Sequence, residues 1–274
     1  MVIQTKKIGM KKVFVLCIAI LSIVQCKSPK EALFVQISDP QLGFITKSGD
    51  YSPEAELMTK VIVRVNELNP DFVVLSGDLV HWRDDTAALM AFDSLCRGFS
   101  PNIKVYYLPG NHDVGNEAHK EDVDAFVKRY SSDRFVHRAD NYNVVGYNSC
   151  VVKAAGELEQ IEYEWLKREL EILQDGKPLF VVAHHPVFLK DPKEGETYEN
   201  FPVHLREKYL SLFKKCGVDV YLAGHLHKCA QTEYDGIRFI TASALGRQLG
   251  KDSSGYTVVK IENGVANVNY KSIN

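Results

Sequence analysis

Short apolar runs alternate along most of the chain with longer stretches in which apolar residues recur at helical spacing. Strands that alternate with helices indicate an α/β protein with a largely parallel sheet. Runs of buried-strand length occupy residues 32–38, 71–77, 103–109, 178–183 and 218–224. Helical spacing covers residues 53–68, 84–97, 119–130, 157–174 and 203–216.

The end of the chain has a different pattern. Beyond residue 229 it predicts strands joined by short turns, with Asp235-Gly236 and Asn263-Gly264 as hairpin dipeptides. We therefore expect a partly antiparallel region to close a single domain that begins near Ala32. Residues 186–202 form a long polar stretch, and loops of this length often cover a functional site.

The first 26 residues have the layout of an export signal. An uncharged apolar run, residues 13–24, follows Lys11 and Lys12 directly. As a helix it would be about 18 Å long, short of a bilayer core of about 30 Å. This layout predicts a signal peptide over residues 1–25, with Met10 as an alternative start, and a mature domain over residues 26–274.

Cys26 lies just past the apolar run, where it resembles the lipidated cysteine of bacterial lipoproteins. We therefore predict an exported bacterial protein, either periplasmic or attached to the membrane only through an N-terminal lipid on Cys26. Gln25 replaces the small residue that usually precedes such a cysteine. A plain secretory signal and an uncleaved anchor therefore remain alternatives.

Charge and cysteine content exclude several classes of protein. The chain has 33 basic and 35 acidic residues, and four of the basic residues lie in the signal, so the remainder is acidic. An acidic domain without a basic stripe is not expected to bind nucleic acid. Six cysteines in 274 residues are too few for a disulfide scaffold.

Each of the five predicted strands is followed by side chains that can bind a metal ion. In open α/β sheets ligands bind beyond the carboxyl ends of the strands. Any one of these motifs has a structural explanation, such as a Gly-Asp turn, but their joint occurrence predicts one site. Carboxylate, amide and imidazole donors indicate a site for Mn, Fe or Zn rather than a thiolate site. A carboxylate that bridges two ions can build a two-metal centre. The candidates are Asp39, Gln41, Asp78, Asn111, His112, Asp113, His184, His185, His225 and His227.

The order of these motifs resembles the calcineurin-like metallophosphoesterase superfamily. The series is Asp-x-Gln, Gly-Asp, Gly-Asn-His-Asp, His-x-Pro and Gly-His-x-His, over residues 39–227. Residues 39–43, 110–116 and 243–250 further resemble one subgroup, and the similarity then covers nearly the whole chain from about Phe34. The resemblance implies a four-layer α-β-β-α sandwich of two mixed sheets flanked by helices, and metal-dependent hydrolysis of phosphoesters.

The resemblance also implies roles for individual residues. Asp78 would bridge two divalent ions, of Mn, Fe, Zn or Mg, and His112 would act as general acid or charge stabiliser. His185 would be a neighbour rather than a ligand. The first ion would be held by Asp39, Gln41, Asp78 and His227, and the second by Asp78, Asn111, His184 and His225.

Gln41 departs from the superfamily pattern, in which most members have a histidine. A glutamine offers a neutral carbonyl oxygen, a harder donor than imidazole nitrogen. We therefore expect the first site to favour Mn- or Mg-like ions over Zn-like ones.

The predicted reaction is in-line attack of a metal-bridging hydroxide on a phosphorylated substrate. Phosphomonoesters, including phosphoproteins, are the leading substrate class. Phosphodiester or pyrophosphate cleavage by the same centre is one alternative, and a non-enzymatic binding protein on this fold is another. The sequence assigns no residue to substrate binding. His81 and Trp82 could line the cleft, and Arg247 could grip a phosphate, but we interpret the first two as loop packing and Arg247 as a surface residue.

Overall fold

The computed structural model describes residues 32–273 and Val2. The chain divides into two units, Met1–Lys30 and Glu31–Asn274. The predicted signal peptide, the alternative start at Met10 and the lipidated Cys26 lie outside the described residues, and they remain predictions. None of the helices described is long and apolar enough to cross a membrane.

The described part of the chain contains seven helices and eleven strands. The helices are α1 (Ser52–Leu68), α2 (Thr86–Cys96), α3 (Asn111–Val114), α4 (Lys120–Tyr130), α5 (Ser149–Ala154), α6 (Glu157–Ile172) and α7 (Val203–Cys216). The strands are β1 (Ala32–Ile37), β2 (Phe72–Ser76), β3 (Lys104–Leu108), β4 (Phe135–Arg138), β5 (Asn143–Gly146), β6 (Leu179–Val182), β7 (Val220–Ala223), β8 (Ala230–Tyr234), β9 (Ile237–Thr241), β10 (Gly255–Glu262) and β11 (Val265–Ser272).

The strands form two mixed sheets. The first has the order β11-β10-β1-β2-β3, in which β1, β2 and β3 are parallel and β10 is antiparallel to β1. The second has the order β4-β5-β6-β7-β9-β8, in which β5, β6, β7 and β9 are parallel. The predicted α-β-β-α sandwich of two mixed sheets is confirmed.

Alternation along the strands explains why two sheets stack face to face. Phe34, Phe72 and Phe180 come from both sheets and pack in one buried cluster, with the Phe34 and Phe72 rings 4.9 Å apart. The alternate residues Val35 and Val73 belong to a second cluster, which also contains residues of the helices. A strand that is buried on both faces reads as a continuous apolar run, and β1, β2 and β6 have that pattern.

The end of the chain does not form a separate region. β8 and β9 make a hairpin through Asp235-Gly236 and extend the second sheet, whereas β10 and β11 turn at Asn263-Gly264 and extend the first. All four turn residues have positive φ, as a type I′ turn requires. Both hairpins were predicted correctly, but each completes a different sheet.

Candidate metal centre

Each candidate ligand lies just beyond the carboxyl end of a parallel strand. Asp39 and Gln41 follow β1, Asp78 follows β2, and Asn111 begins α3 after β3. In the second sheet His184 follows β6, and His225 and His227 follow β7. The sequence placed these ends at the edge of one sheet, whereas they come from two sheets.

Glycines before the ligands allow the two groups of strand ends to approach one another. A Cβ on Gly224 would overlap the Ser38 hydroxyl and would lie 2.7 Å from Asp39 Oδ2. A Cβ on Gly110 would overlap the carboxylate of Asp78. The Gly-Asn and Gly-His pairs of the motifs therefore have a steric cause: only glycine leaves room for the neighbouring ligand.

Most of the candidate ligands also have an unusual backbone conformation. A positive φ is uncommon for residues other than glycine and is typically found at functional sites that the surrounding structure holds in place. Backbone hydrogen bonds join the segment after β1 to the segment after β2: Asp39 N–H donates to Gly77 O at 3.1 Å, and Gln41 N–H donates to Asp78 O at 2.9 Å. The ligands with positive φ are Asp39, Gln41, Asp78, His225 and His227.

The first ligand group is buried and has donor atoms that face one another. One oxygen, Asp39 Oδ2, accepts hydrogen bonds from the Ser38 hydroxyl and from His225 N–H. The other, Asp39 Oδ1, lies 3.3 Å from His227 Nε2. Ligand atoms of Asp39, Asp78 and His227 all lie within 4.8 Å of one another. Gln41 Oε1 is buried and has no hydrogen-bond partner among the residues described, which leaves it free to bind a cation.

The second ligand group, around His184, is also buried and has ligand atoms that face one another. Its Nδ1 lies 3.0 Å from Ser76 O, and since a carbonyl only accepts, Nδ1 carries the proton. With the proton of Nδ1 directed at Ser76, the other ring nitrogen, Nε2, faces two acceptors, Asn111 Oδ1 at 3.3 Å and Asp78 Oδ1 at 3.4 Å. Two oxygens that face this nitrogen favour a positive charge between them, which a proton on Nε2 supplies without metal and a bound cation would replace.

Three histidines share one arrangement that is characteristic of metal ligands. One ring nitrogen donates to a main-chain carbonyl, which fixes the tautomer and leaves the other nitrogen for the ion. His184 uses Ser76, His227 uses Arg247, and the main chain of Tyr198 is a hydrogen-bond partner of His225. The remaining nitrogen of His225, Nε2, is buried and unpartnered within the described part of the chain.

The charges of the site favour a cation. Burial alone would raise the pKa of Asp78, but the nearby His184 more than offsets this effect and holds that pKa well below its usual range. Burial would lower the pKa of His184, yet the charge of Asp78 raises it to about 9. Burial lowers the pKa of His225 to about 4, so that ring is neutral and its lone pair is free.

These observations together fit two divalent ions. Asp39, Gln41, Asp78 and His227 would hold the first, and Asp78, Asn111, His184 and His225 would hold the second. His185 also lies within ligand distance of His184 and His225. Its Nδ1 faces Ser149 Oγ at 3.4 Å, and burial lowers its pKa well below the usual value.

His112 lies beside the ligands, at the start of α3. Its N–H donates to Asp78 Oδ1 at 2.9 Å, and its Nδ1 lies 2.7 Å from His81 O. Because that carbonyl can only accept, Nδ1 carries a proton and Nε2 is the nitrogen available to a substrate. The His112 ring stacks on His81 at 4.9 Å, and Trp82, which is 63% exposed, lies 6.4 Å away.

Two residues that the sequence analysis named, Asp113 and Arg247, have supporting roles that it did not predict. Asp113 accepts hydrogen bonds from Gly110 N–H and Leu79 N–H and so fixes the turn that presents Asn111. Burial and the charge of Asp78 raise the pKa of Asp113 to about 8. Arg247 contributes its main-chain carbonyl rather than its side chain, whose guanidinium lies 5.1 Å from the Phe44 ring. No sequence signal distinguishes a carbonyl that supports a ligand.

Comparisons with known proteins agree with this geometry. The model of the family described as calcineurin-like phosphoesterase matches residues 32–229. Proteins named serine/threonine-protein phosphatase CPPED1 are similar to most of the chain. The Danio rerio protein is 30% identical over 83% of this chain and 80% of its own length, and the Homo sapiens protein is 30% identical over 83% and 79%.

Solved structures share the fold at low sequence identity. A dimetal phosphatase from Danio rerio has a TM-score of 0.66 and 15% identity, and the match covers 89% of this chain and 97% of that one. The purple acid phosphatase PPD1 from yellow lupin seeds has a TM-score of 0.65 and 14% identity, with coverage of 88% and 51%.

Proposed function

Because the chain belongs to the calcineurin-like phosphoesterase family, we propose that it hydrolyses phosphomonoesters on serine or threonine residues of phosphoproteins. Family membership confirms the predicted phosphoester hydrolase. The two groups of candidate ligands support our proposal that the hydrolase depends on a dinuclear metal centre. Family membership also favours an enzyme over the non-enzymatic alternative. The narrower substrate class is supported by the similarity to proteins named as serine/threonine phosphatases.

The surroundings of the site carry the proposal of a protein substrate. Two exposed aromatic side chains border the ligands: Trp82, near His112, is 63% exposed, and Tyr198, whose ring lies 5.0 Å from His225, is 55% exposed. Exposed aromatic groups beside a catalytic centre are suited to bind the chain that carries a phosphorylated side chain.

The roles of the residues follow from their positions. Two bound divalent ions would neutralise the phosphoryl oxygens and activate the attacking water. The ligands named above would hold these ions, and the main-chain carbonyls behind the histidines keep each ring in its ligating tautomer. With Nδ1–H held by His81 O, the doubly protonated ring of His112 would present Nε2–H to the departing oxygen, stabilise its developing charge and become neutral when it gives up that proton.

A substrate panel tests the proposal. With Mn²⁺ supplied, we expect kcat/KM for p-nitrophenyl phosphate to exceed that for bis-p-nitrophenyl phosphate, and phosphoserine peptides to be better substrates than free phosphoserine. A preference for the diester or for pyrophosphate would instead favour the alternatives from the sequence. Proteins named probable cyclic nucleotide phosphodiesterase are more distant relatives, at 23% identity.

We further propose that the enzyme is exported and attached to a membrane through a lipid on Cys26. The support is the basic start and apolar run ahead of that cysteine. Incorporation of labelled palmitate by the wild-type chain and none by Cys26→Ser is the expected result. Equal labelling of both chains would contradict it, and an unlabelled, secreted wild-type chain would favour the plain secretory signal.

A further inference from the structure

Asn111, like Gln41 at the first ion, poses a problem of orientation that the carboxylate and imidazole ligands do not. The two ends of a side-chain amide have the same shape, but only the oxygen can bind a cation. Rotation of this group by half a turn would direct the NH₂ at the ion and abolish the ligand. A neighbouring group that accepts a hydrogen bond from the nitrogen would stabilise the ligating orientation.

Tyr198 is the group that does so in this structure. Asn111 Nδ2 donates to the Tyr198 hydroxyl at 2.7 Å, while Asn111 Oδ1 faces His184 Nε2 at 3.3 Å. A hydroxyl can donate or accept, and here it accepts from the nitrogen, which holds the oxygen on the side of the second ion. The main chain of Tyr198 is also a partner of the His225 ring, and its side-chain ring lies 5.0 Å from that of His225. One residue thus supports two ligands of the same ion.

The loop that carries Tyr198 is fixed by buried polar contacts. Arg206 on α7 is 1% exposed, and its guanidinium donates to main-chain carbonyls of Pro192, Glu194, Gly195 and Phe201. The carboxylate of Glu194 accepts N–H groups from the same loop, including that of Leu189 at 2.6 Å.

The residue before Tyr198 is held from two sides. Lys153 Nζ donates to Thr197 O at 2.7 Å, and Thr197 N–H donates to Asn200 Oδ1 at 2.8 Å. A loop whose main chain is satisfied by buried side chains holds a fixed shape. It can therefore set the position of a hydroxyl to within a hydrogen-bond length.

We propose that Tyr198 is a positioning residue of the second metal site, which selects the ligating orientation of the Asn111 amide and supports His225. The inference rests on the proposed dinuclear site. It assigns a function in metal binding to the loop of residues 186–202, which the sequence predicted to cover a functional site. Removing a residue that hydrogen-bonds to a metal ligand typically lowers metal affinity or activity by roughly 10–100-fold.

Binding of Mn²⁺ to the full chain after removal of metal by chelation tests the role. We expect Tyr198→Phe to bind the first ion as wild type does and the second about ten-fold more weakly, measured by equilibrium dialysis and by the EPR signal of a coupled Mn²⁺ pair. Tyr234→Phe, on β8, is the matched control and should bind both ions as wild type does. Two ions bound with unchanged affinity in Tyr198→Phe would overturn the role.

A second background separates orientation from general loosening of the site. In Asn111→Asp both terminal atoms are oxygens, so no orientation needs to be selected. In the Asn111→Asp background, we expect Tyr198→Phe to lower the affinity for the second ion far less than it does in the wild-type background. An equal loss of affinity in both backgrounds would overturn the proposed selection. Wild-type protein that binds fewer than two ions would refute the dinuclear site itself, a result distinct from either of these.

Discussion

Gln41 is the residue at which this site departs from its family pattern. Its buried Oε1 adds an oxygen donor to a group that otherwise contains two carboxylates and His227. Oxygen donors favour Mn²⁺ and Mg²⁺ over Zn²⁺. We expect Gln41→His to shift the metal content towards Zn when the protein is loaded from an equimolar mixture of Mn and Zn. The same metal content in both proteins would refute this explanation.

His112 tests whether proton transfer can be separated from metal binding. Its side chain contacts His81 O but belongs to neither candidate ligand group. His112→Ala should therefore lower kcat by about 10²–10⁴-fold and leave two ions per chain. Turnover with p-nitrophenyl phosphate and metal analysis of the same sample measure both quantities. Loss of metal in this variant would reassign His112 to a structural role.

Asp78 is the only candidate shared by the two proposed ions. Its carboxylate lies 3.4 Å from His184 Nε2, and its carboxylate atoms also reach the Asp39–His227 group. Asp78→Asn removes the bridging charge, and we expect both ions to be lost while the far-UV circular dichroism stays that of a folded protein. Two ions retained per chain would contradict the bridging role.

Single residues differ in how far sequence reveals them. The ligands could be predicted because each follows an apolar run in a fixed short motif, and in the structure all seven lie just beyond the ends of strands. Tyr198 could not be predicted, because a hydroxyl in a polar loop carries no spacing that relates it to Asn111. The carbonyl of Arg247 could not be predicted either, since every residue has one.

At the scale of elements, the turns after the strands determine whether the ligands can meet. A Cβ on Gly224 would overlap Ser38 Oγ and crowd Asp39, whereas a Cβ on Gly156 would meet no atom within 4 Å. Overpacking of this kind typically costs about 1–3 kcal/mol and moves the backbone. Gly224→Ala should therefore lose the first ion and melt at a lower temperature. Gly156→Ala is the control, and equal behaviour of the two variants would show that the close approach is unimportant.

The elements that the sequence missed are short, and one of the missed strands, β4, is partly exposed. The predicted helices agree with α1, α2, α4, α6 and α7 to within a few residues at each end. β4 and β5 have only four residues each, and β4 is an edge strand with polar His137 and Arg138. Such a strand has neither the length nor the apolar content that marks a buried one. The pairing of strands into two sheets depends on contacts between residues far apart in the chain, which periodicity does not encode.

At the scale of the whole molecule, Glu162 links stability to pH. It is 3% exposed, and its carboxylate accepts from Asn148 N–H and pairs with Arg134 near Asp133. Burial, with the charge of Asp133, raises its pKa to about 8 from the model-compound value of 4.5. A raised carboxyl pKa means that the folded state holds the proton more tightly, so this group reduces stability progressively as pH rises from 4.5 to about 8.

Removal of the Glu162 carboxyl should make the free energy of unfolding less dependent on pH. We expect the stability of wild type relative to Glu162→Gln to fall between pH 5 and pH 8, measured by urea unfolding at fixed Mn²⁺ concentration. Groups at the metal centre titrate in both proteins and cancel in the difference. A difference that is constant with pH would show that Glu162 stays ionised in the folded protein.

β10 lies near the end of the chain but pairs with β1 at its start, so the first sheet can be completed only late in synthesis. β10 pairs with β1, so that Ala32 lies opposite Ile261, and Val259 and Ile261 complete the apolar layer between the sheets. A nascent chain that ends before residue 255 has the motifs for every candidate ligand but leaves one edge of β1 without its neighbour. Contacts between such distant residues form slowly, and an unpaired strand edge promotes aggregation. The ribosome therefore synthesises every candidate metal ligand before it synthesises β10, the strand that completes the first sheet beside β1.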